Sequence, residues 1–257
     1  MAEFIEYEPG TPSWVDVSTS DLGASGAFYS KLFGWEAEDQ GADAGHYTMF
    51  RMRGLNVAGM GQRMDENQPP AWTTYVTVRD ADATVAKVRE AGGAVFMEPM
   101  DVLDVGRMAV LADPTGAVFA LWQPRAHQGA QLANEPDTFC WNELNTRDTA
   151  AAIPFYEAVF GWTAETNQMG PMTYTEWKVD GRTVAGMMDM PPDVPAEVPA
   201  HWLVYFAVSD CDATVANATS LGATTFMPPT DIPPGRFAVL GDPQGAVFAV
   251  IKTNPME

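Results

Sequence analysis

The stretch GRMAVLADPTGAVFAL, Gly106–Leu121, returns as GRFAVLGDPQGAVFAV, Gly235–Val250, with 12 of 16 positions identical. Each copy sets two apolar runs about a polar tetrapeptide, Asp113-Pro114-Thr115-Gly116 and Asp242-Pro243-Gln244-Gly245. Aspartate at the first turn position, proline presetting φ at the second and glycine at the exit fit a type I turn. The stretch therefore predicts a β-hairpin, which makes it scaffold rather than site.

Outward from the hairpin, the repetition covers nearly the whole chain of 257 residues. FYSKLFGW from Phe28 returns as FYEAVFGW from Phe155, and AGM from Ala58 returns from Ala185. WTTYVTVRDADATVAKVREAGG from Trp72 returns as WLVYFAVSDCDATVANATSLGA from Trp202. Such self-similarity predicts two homologous domains, 1–125 and 138–257, joined by a polar, aperiodic linker at 126–137.

Each copy has two similar halves. WVDVSTSD, Trp14–Asp21, alternates as a strand does, and Asp21 offers an N-cap to a helix striped by Leu22, Phe28, Leu32 and Phe33. Gly34 sits where a left-handed C-cap ends that helix. YTMFRM and LNVAGMGQ read as strands, and the pattern then restarts with TYVTVRD, the helix ADATVAKVREAGG and three further strands. In the second copy Pro154 falls inside the first helix and predicts a late start or a kink.

Hydrophobic residues at 46% against 19% charged describe globular domains with substantial cores. The chain lacks an apolar run of the roughly eighteen residues that a membrane span needs, and its acidic start lacks a signal-peptide pattern. Two cysteines, Cys140 and Cys211, fit a reduced, cytoplasmic protein. A net charge of −20 argues against nucleic-acid and membrane partners; it serves solubility and would favour a cationic ligand.

The βαβββ–βαβββ order, with D-L…F-Y…L-F-G-W in the first helix and D-P-x-G before the last strand, resembles the vicinal oxygen chelate superfamily. That superfamily includes glyoxalase I, extradiol dioxygenases and fosfomycin- and bleomycin-resistance proteins. The chain looks closest to two-domain actinobacterial proteins of the glyoxalase-like or hydroxylase-like kind. The resemblance implies an α+β protein of two tandem domains, each built of two βαβββ modules that form a curved mixed sheet around a cavity, with helices on the convex side.

The resemblance also implies positions for a divalent metal's His and Glu ligands. They fall on Trp14 and Trp141, near Thr73 and Leu203, on Ala120 and Ala249, and within Ala58-Gly59-Met60 or Ala185-Gly186-Met187. These residues carry no strong metal donor. Of the three histidines, His46 reads as a loop residue and His127 as linker; His201 could reach the cavity from a strand's edge or be structural. No metal and no cofactor are therefore expected.

The same alignment and the period of two place Trp14, Asp16, Thr73, Tyr75, Ala120 and Trp122 on one cavity face, with Trp141, Glu143, His201, Leu203, Tyr205 and Ala249 on the other. Trp14, Thr73, Ala120, Trp122, Trp141, His201, Leu203 and Ala249 are the ligand-contact candidates. The alternative to a ligand pocket is a filled remnant, with Trp14 and Trp141 in the space of a metal. Methionines such as Met60 and Met187 read as core filler, and Arg107 and Arg236 as partners of nearby carboxylates.

The leading expectation is a metal-free small-molecule-binding protein, similar to the drug-sequestering branch, that holds a hydrophobic, aromatic or cationic metabolite or antibiotic in an apolar cavity, as a monomer or homodimer. The alternative is a metal-independent lyase, isomerase or cyclase. Asp16 or Glu143 would act as its general base, and Tyr75 or Tyr205 as hydrogen-bond donor. A metal-dependent glyoxalase or dioxygenase is opposed by the missing ligands.

Overall fold

A computed structural model describes residues 3–169, 172–192 and 194–254. The first sheet contains β1 (Pro12–Thr19), β2 (Glu36–Asp39), β3 (Thr48–Met52), β4 (Leu55–Gln62), β5 (Ala71–Thr77), β6 (Ala94–Val102), β7 (Gly106–Ala112) and β8 (Val118–Pro124). Helices α1 (Leu22–Phe33) and α2 (Ala81–Glu90) follow β1 and β5. The second copy supplies β9 (Phe139–Thr146), α3 (Thr149–Phe160), β10 (Thr163–Met169), β11 (Met172–Val179), β12 (Arg182–Asp189), β13 (His201–Ala207), α4 (Cys211–Ser220), β14 (Thr224–Ile232), β15 (Gly235–Gly241) and β16 (Val247–Thr253).

Each sheet has eight strands, in the orders β2-β3-β4-β1-β5-β8-β7-β6 and β10-β11-β12-β9-β13-β16-β15-β14. The two βαβββ modules of a sheet meet where β1 pairs antiparallel with β5, and β9 with β13. Within modules, β1–β4 and β5–β8 are parallel, so each sheet is mixed, as the sequence predicts. The D-P-x-G hairpins join β7 to β8 and β15 to β16.

The helices end where local chemistry dictates. Asp21 accepts from the Ala24 amide at 2.9 Å, and Gly34 closes α1 at φ 72°. Pro154 has no N–H for the Ala150 carbonyl, yet α3 starts at Thr149 directly after its cap Asp148, so the late start does not occur. An interior proline costs about 3 kcal/mol. Burial of Phe155, Tyr156 and Val159, at roughly 1.5–3 kcal/mol for each large apolar side chain, exceeds that.

α1 and α3 lie between the two sheets. From α1, Tyr29 stacks edgewise on Phe50 of its own sheet and Phe248 of the other, at centroid distances of 6.0 and 5.9 Å. Tyr156 of α3 touches Phe119 at 6.0 Å and Trp202 at 5.6 Å. The turn aspartates complete these contacts. Asp113 Oδ1 accepts from the amides of Thr115 and Ala117 at 2.8 and 3.1 Å, which fixes the hairpin, while its Oδ2 accepts from Tyr156 Oη at 2.9 Å. Asp242 does the same for its own turn and accepts from Tyr29 Oη at 2.9 Å. Each hairpin thus holds the opposite copy's first helix, and the cores are shared across the repeat.

The segment read as a polar, aperiodic linker packs against the first sheet. Ala130, Leu132 and Ala133 are buried, and the amides of Ala130 and Gln131 donate to the carbonyls of Ser13 and Asn56, each at 2.8 Å. Its small apolar residues fill the groove at the start of β1 and β4, a placement that its polar average conceals.

Candidate active site on the concave faces

In β1 the alternation sends Val15 and Val17 into the helix-side core and Trp14 and Asp16 to the opposite face, with Trp14 beside Tyr75 and Asp16 beside Thr73 on β5. There Asp16 Oδ2 accepts from Tyr75 Oη at 2.8 Å and from Tyr47 Oη at 3.2 Å. Trp14 Nε1 donates to Tyr47 Oη at 3.0 Å. The second face repeats the arrangement. Glu143 accepts from Tyr205 at Oε1 (2.9 Å) and from Tyr174 at Oε2 (2.8 Å), and Trp141 Nε1 donates to Tyr174 Oη at 2.9 Å.

Sequence reasoning missed Tyr47 and Tyr174. The signal was present, because they stand 127 residues apart, the spacing of Trp14 to Trp141 and Asp16 to Glu143. The AGM repeat belongs to the same cluster. Gly59 pairs with Asp16 across β4 and β1, and a Cβ there would overlap the Tyr47 phenol; Gly186 stands in the same relation to Tyr174.

Burial dominates the electrostatics of this face. It pushes the Asp16 carboxyl up to about 6, against the smaller opposing effect of its two phenol hydrogen bonds. Glu143 is raised by the same cause. Tyr47, Tyr75 and Tyr205 are held well above the ordinary phenol range, by burial first and then by the neighbouring carboxylate. Burial also pushes the Cys140 thiol up to about 12, which leaves it no thiolate character near neutral pH.

The remaining candidates have simpler places. Ala120 lies opposite Tyr75 and Ala249 opposite Tyr205, both fully buried. Leu203 covers the position beside Glu143. His201 holds the Pro199 carbonyl at 2.9 Å and makes no hydrogen bond to the cluster. Trp122 donates to the backbone carbonyl of His127 at 2.8 Å, and the His127 ring packs edgewise on Trp14 at a centroid distance of 4.5 Å. Burial lowers His127 to a pKa of about 4, so the ring is neutral, and its Nε2 is buried without a protein partner. Arg107 pairs with Asp82 and Asp101, and Arg236 with Asp212 and Asp231, as expected of structural arginines.

On the first face Trp14, Tyr75, Ala120 and Trp122 are buried, while Asp16, Ser18 and Thr73 stay partly exposed. A cleft of about 430 Å³ opens beside Trp141, between Tyr7 and the starts of β9 and β12.

The fold implies a divalent ion on these faces, and the residues present do not fit one. Indole, methyl and isobutyl groups occupy the ligand-equivalent positions apart from the weak donors of the Thr73 hydroxyl and the Met60 and Met187 thioethers, and the Tyr47 phenol fills the space over Gly59. The one carboxylate on each face already serves two phenols. Among the described residues, no three His, Cys, Asp or Glu side chains converge on a common point.

Known proteins bear out the family. The Mycobacterium bovis protein named "Putative glyoxylase CFP32" is 45% identical over the full length of both chains. The anthracycline biosynthesis protein DnrV of Streptomyces peucetius is 41% identical, over 96% of this chain and 94% of its own. Among solved structures, the Mn(II)-bound glyoxalase of Novosphingobium aromaticivorans superimposes with a TM-score of 0.65 at 17% identity, covering 95% of this chain and 82% of that one. The 2,3-dioxygenase LapB of Pseudomonas sp. KL28 gives 0.64 at 14% identity, covering 97% and 94%. The glyoxalase-like domain profile matches residues 14–122 and again 141–251. With its two mixed sheets and its D-P-x-G hairpins, this chain belongs to the glyoxalase-like domain family, carrying the domain twice.

Proposed function

We propose that the protein binds a small aromatic or cationic metabolite without a metal ion, against the Trp–Tyr–carboxylate cluster of a concave face. The observation that carries this reading is the indole–phenol–carboxylate chain standing where the fold's metal ligands would converge. Tryptophan and tyrosine rings beside an acid suit a planar or positively charged ligand through stacking, cation–π attraction and charge pairing. The name of the DnrV relative, an anthracycline biosynthesis protein, favours an aromatic ligand.

A second reading is catalysis by the same face. A carboxyl with a pKa of about 6 has the basicity of a general base working near neutral pH, and the phenols of Tyr75 and Tyr47 are hydrogen-bond donors beside it. That would be isomerase, lyase or cyclase chemistry on an acidic C–H or O–H.

The test is a tryptophan-fluorescence titration with anthracyclines and smaller aromatic amines, before and after chelation, beside elemental analysis of the protein. Saturable quenching that survives chelation is expected. Binding that requires a stoichiometric metal would refute the reading. Turnover of a bound compound that is lost in both Asp16→Asn and Glu143→Gln would move the assignment from sequestration to catalysis.

A further inference from the structure

The two faces repeat the same cluster, but they differ in what it leaves open. In the second, Glu143 engages both oxygens: Tyr205 donates to Oε1, Tyr174 to Oε2, and Asn145 Nδ2 adds a long contact to Oε1 at 3.4 Å. In the first, both phenols converge on Oδ2 of Asp16, and Oδ1 has no protein donor among the described residues. A carboxylate can accept several hydrogen bonds, and a face that supplies donors to one oxygen only leaves the other open to water or a ligand.

The cover over the acid differs in the same direction. The residues flanking Asp16 on its face are Ser18, Gly61 and Thr73, all partly exposed, and Asp16 itself is partly exposed. Their repeat counterparts are Asn145, Met188 and Leu203. Asn145 is turned onto Glu143, Leu203 lies opposite it, and Glu143 is 5% exposed. Larger side chains thus stand at all three positions around the second acid, and two of them, Asn145 and Leu203, lie against it.

Around the reachable oxygen the chemistry is that of a cation site. The aromatic side chains of Trp14, Tyr47 and Tyr75 surround Asp16, Met49 lies across from Gly59, and among the described residues no Lys or Arg hydrogen-bonds Asp16. The surrounding protein carries a net charge of −20. We infer that the first domain's face alone is the working site, and that its ligand presents a protonated, N–H-bearing amine to Asp16 Oδ1 while Glu143 serves only to hold its own face together. This rests on the binding reading above and narrows it to one face and one ligand class.

Benzylammonium, a small aromatic ammonium that stays protonated at neutral pH, tests it against its neutral counterpart benzyl alcohol, by NMR titration of the full-length protein at millimolar concentrations. The expected result is one equivalent of benzylammonium bound, at least roughly tenfold tighter than benzyl alcohol, the worth of one charge-assisted hydrogen bond. Asp16→Asn should weaken it by a similar factor. Thr73→Leu with Gly61→Met, which import the second domain's cover, should weaken it as well and give an independent readout should one variant misfold. Two equivalents per chain, or loss of binding in Glu143→Gln but not in Asp16→Asn, would overturn the assignment. Equal binding of the two probes, indifferent to Asp16→Asn, would overturn it too while leaving the broader binding reading intact. A protein that binds neither probe overturns it, and the anthracycline titration then decides whether the broader binding reading survives.

Discussion

The most revealing single perturbation is Asp16→Asn, because removing a charge from this position should stabilise the protein. Asp16 has its pKa raised from 3.8 to about 6 by burial. At roughly 1.4 kcal/mol per pKa unit, a shift of that size corresponds to about 3 kcal/mol, and partial exposure of the residue reduces it to about 1.5–3 kcal/mol. The sign follows from linkage. The folded protein holds this proton more tightly than the unfolded chain, so the group costs nothing below pH 3.8 and costs progressively more as pH rises to about 6. Asparagine never ionises. Its carbonyl can take the place of Oδ2 under the two phenols, and its NH₂ falls at Oδ1, where no protein donor is displaced. The Tyr47 and Tyr75 phenols facing Asp16 are held protonated across the window, and His127, packed on Trp14, gains its proton only at the acid end of it. Urea unfolding of both proteins at several pH values reads the difference directly. The curves should coincide near pH 4 and separate by about 1.5–3 kcal/mol in favour of asparagine at pH 7. A constant offset at all pH values, or a less stable variant at pH 7, would refute the account of Asp16 as an uncompensated buried charge.

Other consequences are as direct. His127 shows the opposite linkage: a neutral imidazole whose pKa falls from 6.5 to about 4 loses the protein stability as pH drops through that interval. His127→Phe keeps the ring contacts with Trp14 and Trp122, removes the orphaned Nε2, and should flatten the acid limb of the melting profile. Gly59→Ala should displace the Tyr47 phenol, seen as loss of its hydrogen-bonded NMR signal and about 1–3 kcal/mol of stability. Tyr29→Phe and Tyr156→Phe each strip a donor from a buried aspartate and an acceptor from a buried tryptophan, at about 1–3 kcal/mol apiece. Because each helix is held by the opposite repeat, either change should lower one single unfolding transition rather than split it in two.

The architecture was legible because duplication writes every local signal twice. The N-cap aspartates, the helix-ending glycines Gly34 and Gly161 and the D-P-x-G turns act within a few residues of themselves. Face assignment was legible too, since strand alternation fixes which side Trp14 and Val15 take. What could not be read was whatever depends on contact between distant segments. Tyr47 looked like a strand-edge aromatic, and nothing local says its phenol crosses to Asp16. Asp113 and Asp242 looked like turn residues alone, because their second oxygen points to a helix of the other repeat. The segment around Ala130 and Leu132 averaged as polar although Gly129, Ala130, Leu132 and Ala133 are buried. Pro154 misled for a related reason: the local rule was sound, and the shared aromatic core around Tyr156 outweighed it.

The repeat finally isolates how much one methylene decides. Glutamate at 143 is long enough to give each tyrosine its own oxygen, whereas aspartate at 16 reaches the pair with Oδ2 alone. Asp16→Glu keeps the charge and adds only that reach, so it separates two explanations of ligand capture. If charge in an aromatic face were sufficient, the variant would bind benzylammonium as the parent does. If the vacant oxygen is what matters, the longer acid would divide its oxygens between Tyr47 and Tyr75, as Glu143 does with Tyr174 and Tyr205, and leave no acceptor for the amine. Binding should then fall by roughly tenfold or more, with a stability change of about 1–3 kcal/mol from the added volume. Undiminished affinity in a folded Asp16→Glu protein would show that the ligand reads the field of the acid and not its unoccupied lone pairs.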